Sequence, residues 1–466
     1  MTPRLYGNKA TPWLRNALGT LTLSGCLAMV YIAGTTSPAF TEFMRSIGTT
    51  EFEFGLLMGI PLMMFLLQFV GAFVNNRIRR RKALFITTGI AGRLLYIPVV
   101  LLPVLLPGAD RTTLIYIIIA LITVSAAAMQ LSTPLFFSWT ADLVPGQILN
   151  RYWGGRQLWM YLLWSASYGV IILFTFLSDL PITVTYPIIA VVAVFAGVID
   201  ILLFIGIPEP PNTVVREVSL AVLFEPFRHV DYRSFVVASG ARWAIVTFAA
   251  AFMALYMLEE LHLAVWQTTI IFCSMGLGAA LSSRPAGRLA DRHGHRPLLI
   301  ITACLKPLTP LAILIATPSN GFVLLTTYMF FDGMVNGALL VAANGYMMKI
   351  SPKRNRSMFC AAMTGFSGIC GGIGAIAGGT LLELTSPLTW DALGRTWGNF
   401  HLLFIVGTAL RLICIPLCRG IREPKSTRTG RVLSEVRGIG PLQFLRFPIG
   451  LYRNQNESEE SSEADS

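Results

Sequence analysis

Apolar residues come in runs along this chain, each about twenty positions long or more and each closed by a short polar stretch. The runs fall at about 17–41, 54–76, 83–106, 112–139, 157–178 and 184–207, then at 234–258, 267–286, 297–317, 321–348, 357–382 and 399–418. A helix rises ~1.5 Å per residue, so about 20 residues cross a hydrocarbon core of ~30 Å, and each run is predicted to be a transmembrane helix. One stretch breaks the pattern. Between the sixth and seventh runs, Pro208-Glu209-Pro210-Pro211 stops the helix, and Arg216, Glu217, Glu225, Arg228 and Asp231 dilute the apolar content. Within it Val218 to Phe227 is amphipathic and suits a helix lying on the membrane surface.

The two sets of six runs carry matching punctuation. After the second run the chain reads Gly71-Ala-Phe-Val-Asn75-Asn76-Arg-Ile-Arg79-Arg80-Arg81-Lys82, and after the eighth Gly287-Arg-Leu-Ala-Asp291-Arg292-His-Gly294-His295-Arg296, 216 positions later. Pro145 to Arg151 is echoed by Pro352 to Arg356, about 205 positions on. Such echoes imply a duplicated six-helix unit, repeated in parallel because six crossings return the chain to its starting side. The expected architecture is an all-α membrane protein of twelve transmembrane helices in two pseudo-symmetric six-helix bundles. Its expected divisions are a cytoplasmic N-terminus (1–16), a first bundle (17–207), a cytoplasmic linker (208–233), a second bundle (234–420) and a cytoplasmic tail (421–466). The tail is basic to Arg453 and ends in Glu457, Glu459, Glu460, Glu463 and Asp465 among serines, a disordered composition.

Composition agrees with this reading. Of 466 residues 54% are hydrophobic and 13% charged, against ~25% charged in soluble proteins. The net charge of +12 is explained by the bias of Lys and Arg toward cytoplasmic loops rather than by nucleic acid. With the N-terminus inside, Arg45, Arg111 and Arg395 are the basic residues of the outer loops, four more lie within spans, and the rest of the 36 fall on the cytoplasmic side. The expected location is therefore the plasma membrane, or the inner membrane of a bacterium, with both termini cytoplasmic. That side removes Asn456-Glu-Ser458 as a glycosylation site. Arg4, Lys9 and Arg15 ahead of the first run imitate a signal peptide, but a cleaved segment would leave eleven spans, so an uncleaved anchor is expected. The seven cysteines include no CxxC pair, and no metal or cofactor is expected. No HExxH, Gly-x-Ser-x-Gly or P-loop sequence is present, so neither enzymatic activity nor ATP-driven transport is expected.

The six-plus-six pattern, the polar linker and the Gly-x-Leu-Ala-Asp-Arg-x-Gly-x-Arg loop resemble the major facilitator superfamily of secondary transporters over about residues 10–420. The copy at Gly287, Leu289, Ala290, Asp291, Arg292, Gly294 and Arg296 departs only at His295. The first copy keeps Gly71, Arg79 and Arg80 but has Asn75, Asn76 and Ile78 where the pattern has an acid, a base and a glycine. The resemblance implies that Gly287, Asp291, Arg292 and Arg296 form a gating loop, a latch between the halves in one access state. By its chemistry, Gly287 would allow close helix approach, Asp291 would accept hydrogen bonds at a helix N-terminus or pair with a cation, and Arg292 and Arg296 would anchor at headgroups.

Ionisable residues inside spans cost roughly 2.5–3.5 kcal/mol each on insertion scales and need a partner, a wet cavity or a function. Arg93 and Asp200 are expected to form a structural ion pair. Lys306 and Arg411 share a sign, and the residues offer no account of their partners. The resemblance implies that spans 3, 6, 9 and 12 support the bundle from outside the cavity, while Arg242 in span 7 and Asp332 in span 10 line it. Tyr328, Asp332 and Asn336 recur at a spacing of four on one helix face. Tyr31 with Ser24 and Thr35 in span 1, Gln130 before Pro134 in span 4, and Trp164 with Tyr161 and Tyr168 in span 5 add candidate contacts. Together these outline an aromatic cavity suited to a neutral or mildly polar solute. Asp332 is the candidate for proton coupling, or else pairs with Arg242 as a gate. The small residues from Gly365 to Gly379 would let span 11 cross its neighbours closely and slide. The expected protein is a monomeric secondary transporter of a small organic solute, with protons as a candidate co-substrate. The alternative is a non-transporting relative acting as a sensor, receptor or assembly factor.

Overall fold

The computed structural model describes residues 12–432 except 79, 107, 145–148, 210–226, 352–355, 393, 424, 425, 428 and 431. The amphipathic linker segment, the loop echo at 145–148 and 352–355 and the acidic tail lie outside the described residues. Twelve helices among the described residues are long and apolar enough to cross a membrane. In the first unit these are span 1 (Trp13–Ile47), span 2 (Glu51–Asn75), span 3 (Lys82–Leu105), span 4 (Arg111–Thr140), span 5 (Gly155–Leu177) and span 6 (Ile182–Gly206). In the second they are span 7 (Tyr232–Glu259), span 8 (Val265–His293), span 9 (His295–Leu314), span 10 (Gly321–Ile350), span 11 (Met358–Leu384) and span 12 (Asn399–Arg419). An even number of spans brings both ends of the chain to one side, here called the basic end. Between spans 11 and 12, at the far end, β1 (Trp390–Ala392) and β2 (Arg395–Trp397) form a small antiparallel hairpin.

Within each unit the first span packs beside the fifth and sixth, or beside the eleventh and twelfth, and the second packs against the fourth, or the eighth against the tenth. The units meet along two seams, span 2 against span 11 and span 5 against span 8. Small residues make the first seam possible. A Cβ at Gly372 would lie 2.5 Å from the Gly59 carbonyl, and one at Gly368 2.5 Å from that of Leu62. On the opposite face of span 11, added Cβ atoms at Gly374 and Gly378 would overlap the carbonyls of Ala244 and Phe248 in span 7. In the second seam the Trp164 indole of span 5 occupies the space a side chain at Gly276 would need.

Apolar packing is unequal along the axis. At the far end one cluster joins both units: Phe40, Phe43, Phe54 and Leu57 of the first pack with Phe252, Met253, Tyr256 and Met257 of the second. Arg45 Nε contacts Glu259 Oε1 at 3.1 Å across the same boundary, and the Phe52 amide donates to Glu383 Oε2 at 3.1 Å. At the basic end the buried members separate, with Tyr232, Phe235, Tyr346 and Phe359 in one cluster and Phe85, Trp139, Tyr152 and Phe204 in another. The two units are thus joined at the far end, while at the basic end each has a buried core of its own, with Phe69 of span 2 half-buried against that of the second unit.

A device at the basic end is repeated in both units. Ile207-Pro208-Glu209-Pro210 follows span 6 and Ile421-Arg422-Glu423-Pro424 follows span 12, 214 positions apart. Glu209 accepts from the amides of Arg81 and Lys82, which open span 3; Glu423 accepts from those of His295 and Arg296, which open span 9, at 2.9 and 2.7 Å. A carboxylate so placed satisfies orphan N–H groups and complements the helix dipole. The Trp139 indole donates to the Pro208 carbonyl at 3.0 Å, and the Tyr346 hydroxyl to that of Arg422 at 2.8 Å. Lys82 reaches the Ile205 carbonyl at 2.6 Å and Arg296 that of Arg419 at 3.0 Å. The equivalence of these partners supports duplication more strongly than the loop motif does.

Burial alone would push the Glu423 carboxyl up, but hydrogen bonds from Lys349, the Arg296 amide and His295 outweigh it and hold the group below its ordinary range. A depressed folded-state pKa stabilises above the ordinary glutamate value, and the contribution is lost as pH falls through the folded value. Replacing Glu423 by Ala is expected to cost about 1.5–3 kcal/mol, read as a lower unfolding midpoint in detergent at neutral pH. That gap between wild type and variant should close as the pH is taken below the ordinary glutamate range.

Candidate functional site

Span 9 is not a regular helix. It runs from His295 to Leu305, turns through Lys306 and Pro307, and resumes at Leu308–Leu314. Pro310 has no N–H, so the Lys306 carbonyl lacks its usual donor four residues on. The Thr309 amide and Arg411 Nη1 of span 12 approach that oxygen instead, at 3.3 and 3.4 Å. The turn also sends the Lys306 side chain inward, where Nζ sits 2.8 and 3.0 Å from the two carboxylate oxygens of Asp332. Thr309 Oγ1 donates to Asp332 Oδ1 at 2.5 Å and Asn336 Nδ2 to Oδ2 at 2.8 Å. Asp332 is 7% exposed, Lys306 9% and Arg411 3%, while Arg242, Tyr328 and Asn336 are half-buried. A carboxylate with four donors is a satisfied buried group, as the cost of burying charge requires.

This geometry differs from the expectation in three respects. Asp332 pairs with Lys306 and not with Arg242, so the alternative gate is not formed. Lys306 and Arg411, left without partners by sequence reasoning, are central to the network. The Tyr328, Asp332 and Asn336 stripe is turned toward spans 9 and 12, because the neighbouring face carrying Gly333 and Gly337 is packed on Met275 and Ala279 of span 8. Arg242 lies with Lys306, Arg411 and Cys414 around a small, partly open void of about 10 Å³ inside the second bundle, further lined by Val246, Leu299, Ala303 and Leu339. Arg242 makes no hydrogen bond or ion pair with any described residue, and Arg411 Nε has no partner. An aromatic cavity with few charges is therefore not what the second bundle presents.

The first bundle holds a related network. Asp200 pairs with Arg93 and accepts from the Ser24 hydroxyl. Arg156 of span 5 is buried, donates from Nε to the Leu21 carbonyl at 3.3 Å, and lies within electrostatic reach of Asp200. Tyr31 is buried under the Arg93 guanidinium, 5.1 Å from ring centre to Cζ, so it belongs to this interior rather than to a cavity wall. Trp164 is half-buried in the seam of spans 5 and 8, and Tyr168, packed on it at 4.5 Å, is buried. Gln130 accepts from Gln68 Nε2 at 2.7 Å, and Gln68 Oε1 accepts from the Thr364 hydroxyl of span 11 at 2.6 Å. This polar chain joins the two units through Gln68 and Thr364, which sequence reasoning passed over.

The gating loop also differs in detail. Asp291 and Arg292 are exposed, and Asp291 has no hydrogen bond or ion pair among the described residues. Glu423, not Asp291, caps span 9. At Gly287 the nearest atom to an added Cβ is 4.0 Å away, so close approach is absent there; at Gly71 the Leu131 carbonyl would be 2.5 Å away. Arg296 is held by Arg419, within its own unit.

Glu209 and Glu423 could have been found from the Ile-x-Glu-Pro repeat, and Lys306 from the prolines that follow it. Gln68 and Thr364 carry no signal at the level of one sequence. Among the described residues no group of three metal-ligating side chains occurs.

Comparison with known proteins agrees with this architecture. The family model for the Major Facilitator Superfamily matches residues 235–451. An uncharacterized MFS-type transporter of Bacillus subtilis (strain 168), YfiU, is 22% identical over 139 residues, 30% of this chain and 24% of that protein, so the match spans about a quarter of the relative's length. Among solved structures, the nucleoside transporter NupG superposes with a TM-score of 0.64 at 13% identity, covering 87% of this chain and 99% of that one. A bacterial homolog of the human lysosomal transporter Spinster, in an inward-facing and occupied conformation, gives 0.64 at 15% identity, covering 88% and 97%. The chain is thus a twelve-span membrane protein that resembles the major facilitator superfamily in sequence over residues 235–451 and shares the fold of these solved transporters over most of its length.

Proposed function

We infer that the protein is a secondary transporter that carries a small organic solute by alternating access. The observation that supports this most is the unequal seam: one apolar cluster closes the far end across both units, while the basic end has two separate cores. With the basic end assigned to the cytoplasm by the bias of Lys and Arg, the conformer is open inward. Each unit is tied within itself by its buried ion pair and its basic-end clamp, so rocking about the small-residue seams is the available motion. The free Asp291 fits a latch that closes when the basic ends meet.

Asp332 serves as the coupling group in this reading. It faces Lys306 and Thr309 of span 9, Asn336 and Tyr328 of its own helix and Arg411 of span 12. Proton uptake would neutralise it and release Lys306, changing how spans 9 and 10 are held.

Alternating access is tested with spin labels at Glu42 and Glu260 on the far end. A short distance in the inward-open state and a second, longer one populated on adding solute are expected; a single distance under all conditions, together with no flux of any solute from a broad panel in liposomes, would leave only a scaffold role. For coupling, an inward proton gradient should accelerate uptake by wild type, whereas Asp332→Asn should retain solute exchange and lose the response to the gradient. Gradient-driven uptake that survives in Asp332→Asn removes Asp332 from the coupling role.

The pair itself has a stability signature. Lys306→Met leaves the buried carboxylate without its cation and should cost about 3–5 kcal/mol, while adding Asp332→Asn should restore most of the lost midpoint.

A further inference from the structure

We propose that Arg242, Lys306 and Arg411 form a binding site for a small monovalent anion inside the second bundle. Charge is the first argument. Three cationic residues line one void, and among the described residues Asp332 is the one carboxylate in contact with any of them. Arginine does not deprotonate in proteins, so at least two fixed positive charges remain, and Asp332 is already occupied by Lys306. Leaving such charge in an apolar interior costs several kcal/mol per ion unless an opposite charge answers it.

Unused donors are the second argument. Arg411 is 3% exposed, and among the described residues its Nε has no partner and its guanidinium hydrogen-bonds only to the Lys306 carbonyl, at 3.4 Å. Arg242 bonds to no described residue, and the groups in its electrostatic reach are the Cys414 and Cys418 thiols and the Lys306 ammonium. Both guanidiniums border the void. Each planar fork is suited to a carboxylate edge or to a halide.

Size is the third. A void of about 10 Å³ takes one water-sized atom, which suits one oxygen of a carboxylate whose remainder lies on the half-buried Arg242 side; a chloride ion, larger than water, enters once the lining side chains shift slightly outward. Such an anion would bridge spans 7, 9 and 12. A carboxylate on the carried solute and a free inorganic anion share this chemistry. Binding is independent of whether solute is moved, so the test is an equilibrium one.

The full chain, purified in detergent in methanesulfonate buffer, is titrated with chloride, acetate and gluconate while the unfolding midpoint is followed, and radiolabelled chloride and acetate are bound directly to wild type. A saturable rise of a few degrees with acetate points to a solute carboxylate, and a rise with chloride alone to an inorganic ion. Either supports the site provided that Arg242→Gln raises the half-saturating concentration at least tenfold and Arg242→Lys less. The proposal is overturned if neither label binds wild type, if the midpoint responds equally to methanesulfonate and the test anions, or if binding is unchanged in both Arg242→Gln and Arg411→Gln.

Discussion

A carboxylate placed among apolar helices must be answered by donors and by an opposite charge, and each half of this molecule is arranged around one such group. Asp200 gathers Arg93 from span 3, Ser24 from span 1 and the nearby Arg156 of span 5. Asp332 gathers Lys306 and Thr309 from span 9 and Asn336 from its own helix. In water each contact would be worth little; in hydrocarbon the alternative is an unpaired charge. The buried pairs therefore fix which spans move together. What is left between the halves is mostly glycine backbone and apolar side chain, with the Gln68 bridge and, at the far end, Arg45 with Glu259 and the Phe52 amide with Glu383 as polar exceptions.

The spans, their number and the duplication were legible because each follows from a local pattern: run length, Pro-rich punctuation, and a loop sequence met twice. Asp332 was legible as well, since a lone carboxylate at mid-span stands out in a chain this apolar. Its partner was not. Assigning spans 9 and 12 to an outer support layer treated each helix as a column, whereas a helix has faces, and the turn at Lys306-Pro307 rotates one side chain into the bundle. The capping of span 9 was missed for a different reason. Asp291 lies four residues before the helix it was expected to cap, but the group that does so, Glu423, arrives from 128 residues along the chain, and nothing local announces that contact.

Comparison of the halves shows where the duplicated unit has diverged. Arg93 and Lys306 stand 213 positions apart in equivalent spans, so the cation of the third helix is retained. Asp200 and Arg411 stand 211 apart in the sixth helix of each unit, and there the sign is reversed. The second unit draws its carboxylate from span 10 instead and adds Arg242 in span 7. The basic-end clamp, by contrast, is kept: the glutamate, the two amides it accepts from and the basic side chain beside them recur at an offset of 214, and the aromatic donor, Trp139 or Tyr346, at 207. A structural device is held fixed while the buried charge of the sixth helix changes sign, so the two bundles differ most in their interior charge.

The distribution of strong and weak contacts also bears on motion. Every clamp at the basic end joins helices of the same unit: Glu209 to span 3, Glu423 to span 9, Trp139 and Tyr346 to the segments that follow spans 6 and 12. None has to break for the basic end to open or close. The charged contact found across units at the far end, Arg45 with Glu259, is substantially exposed on its arginine side, and pairs of that kind contribute about 0–1 kcal/mol. The far-end closure then rests on apolar area, which is non-directional and can be exchanged for similar area at the basic end. In the proposed cycle, rigid units tied by buried charge and meeting through a seam of interchangeable apolar contacts would have two arrangements of comparable free energy, and a small differential affinity for solute or proton would be enough to move the population between them.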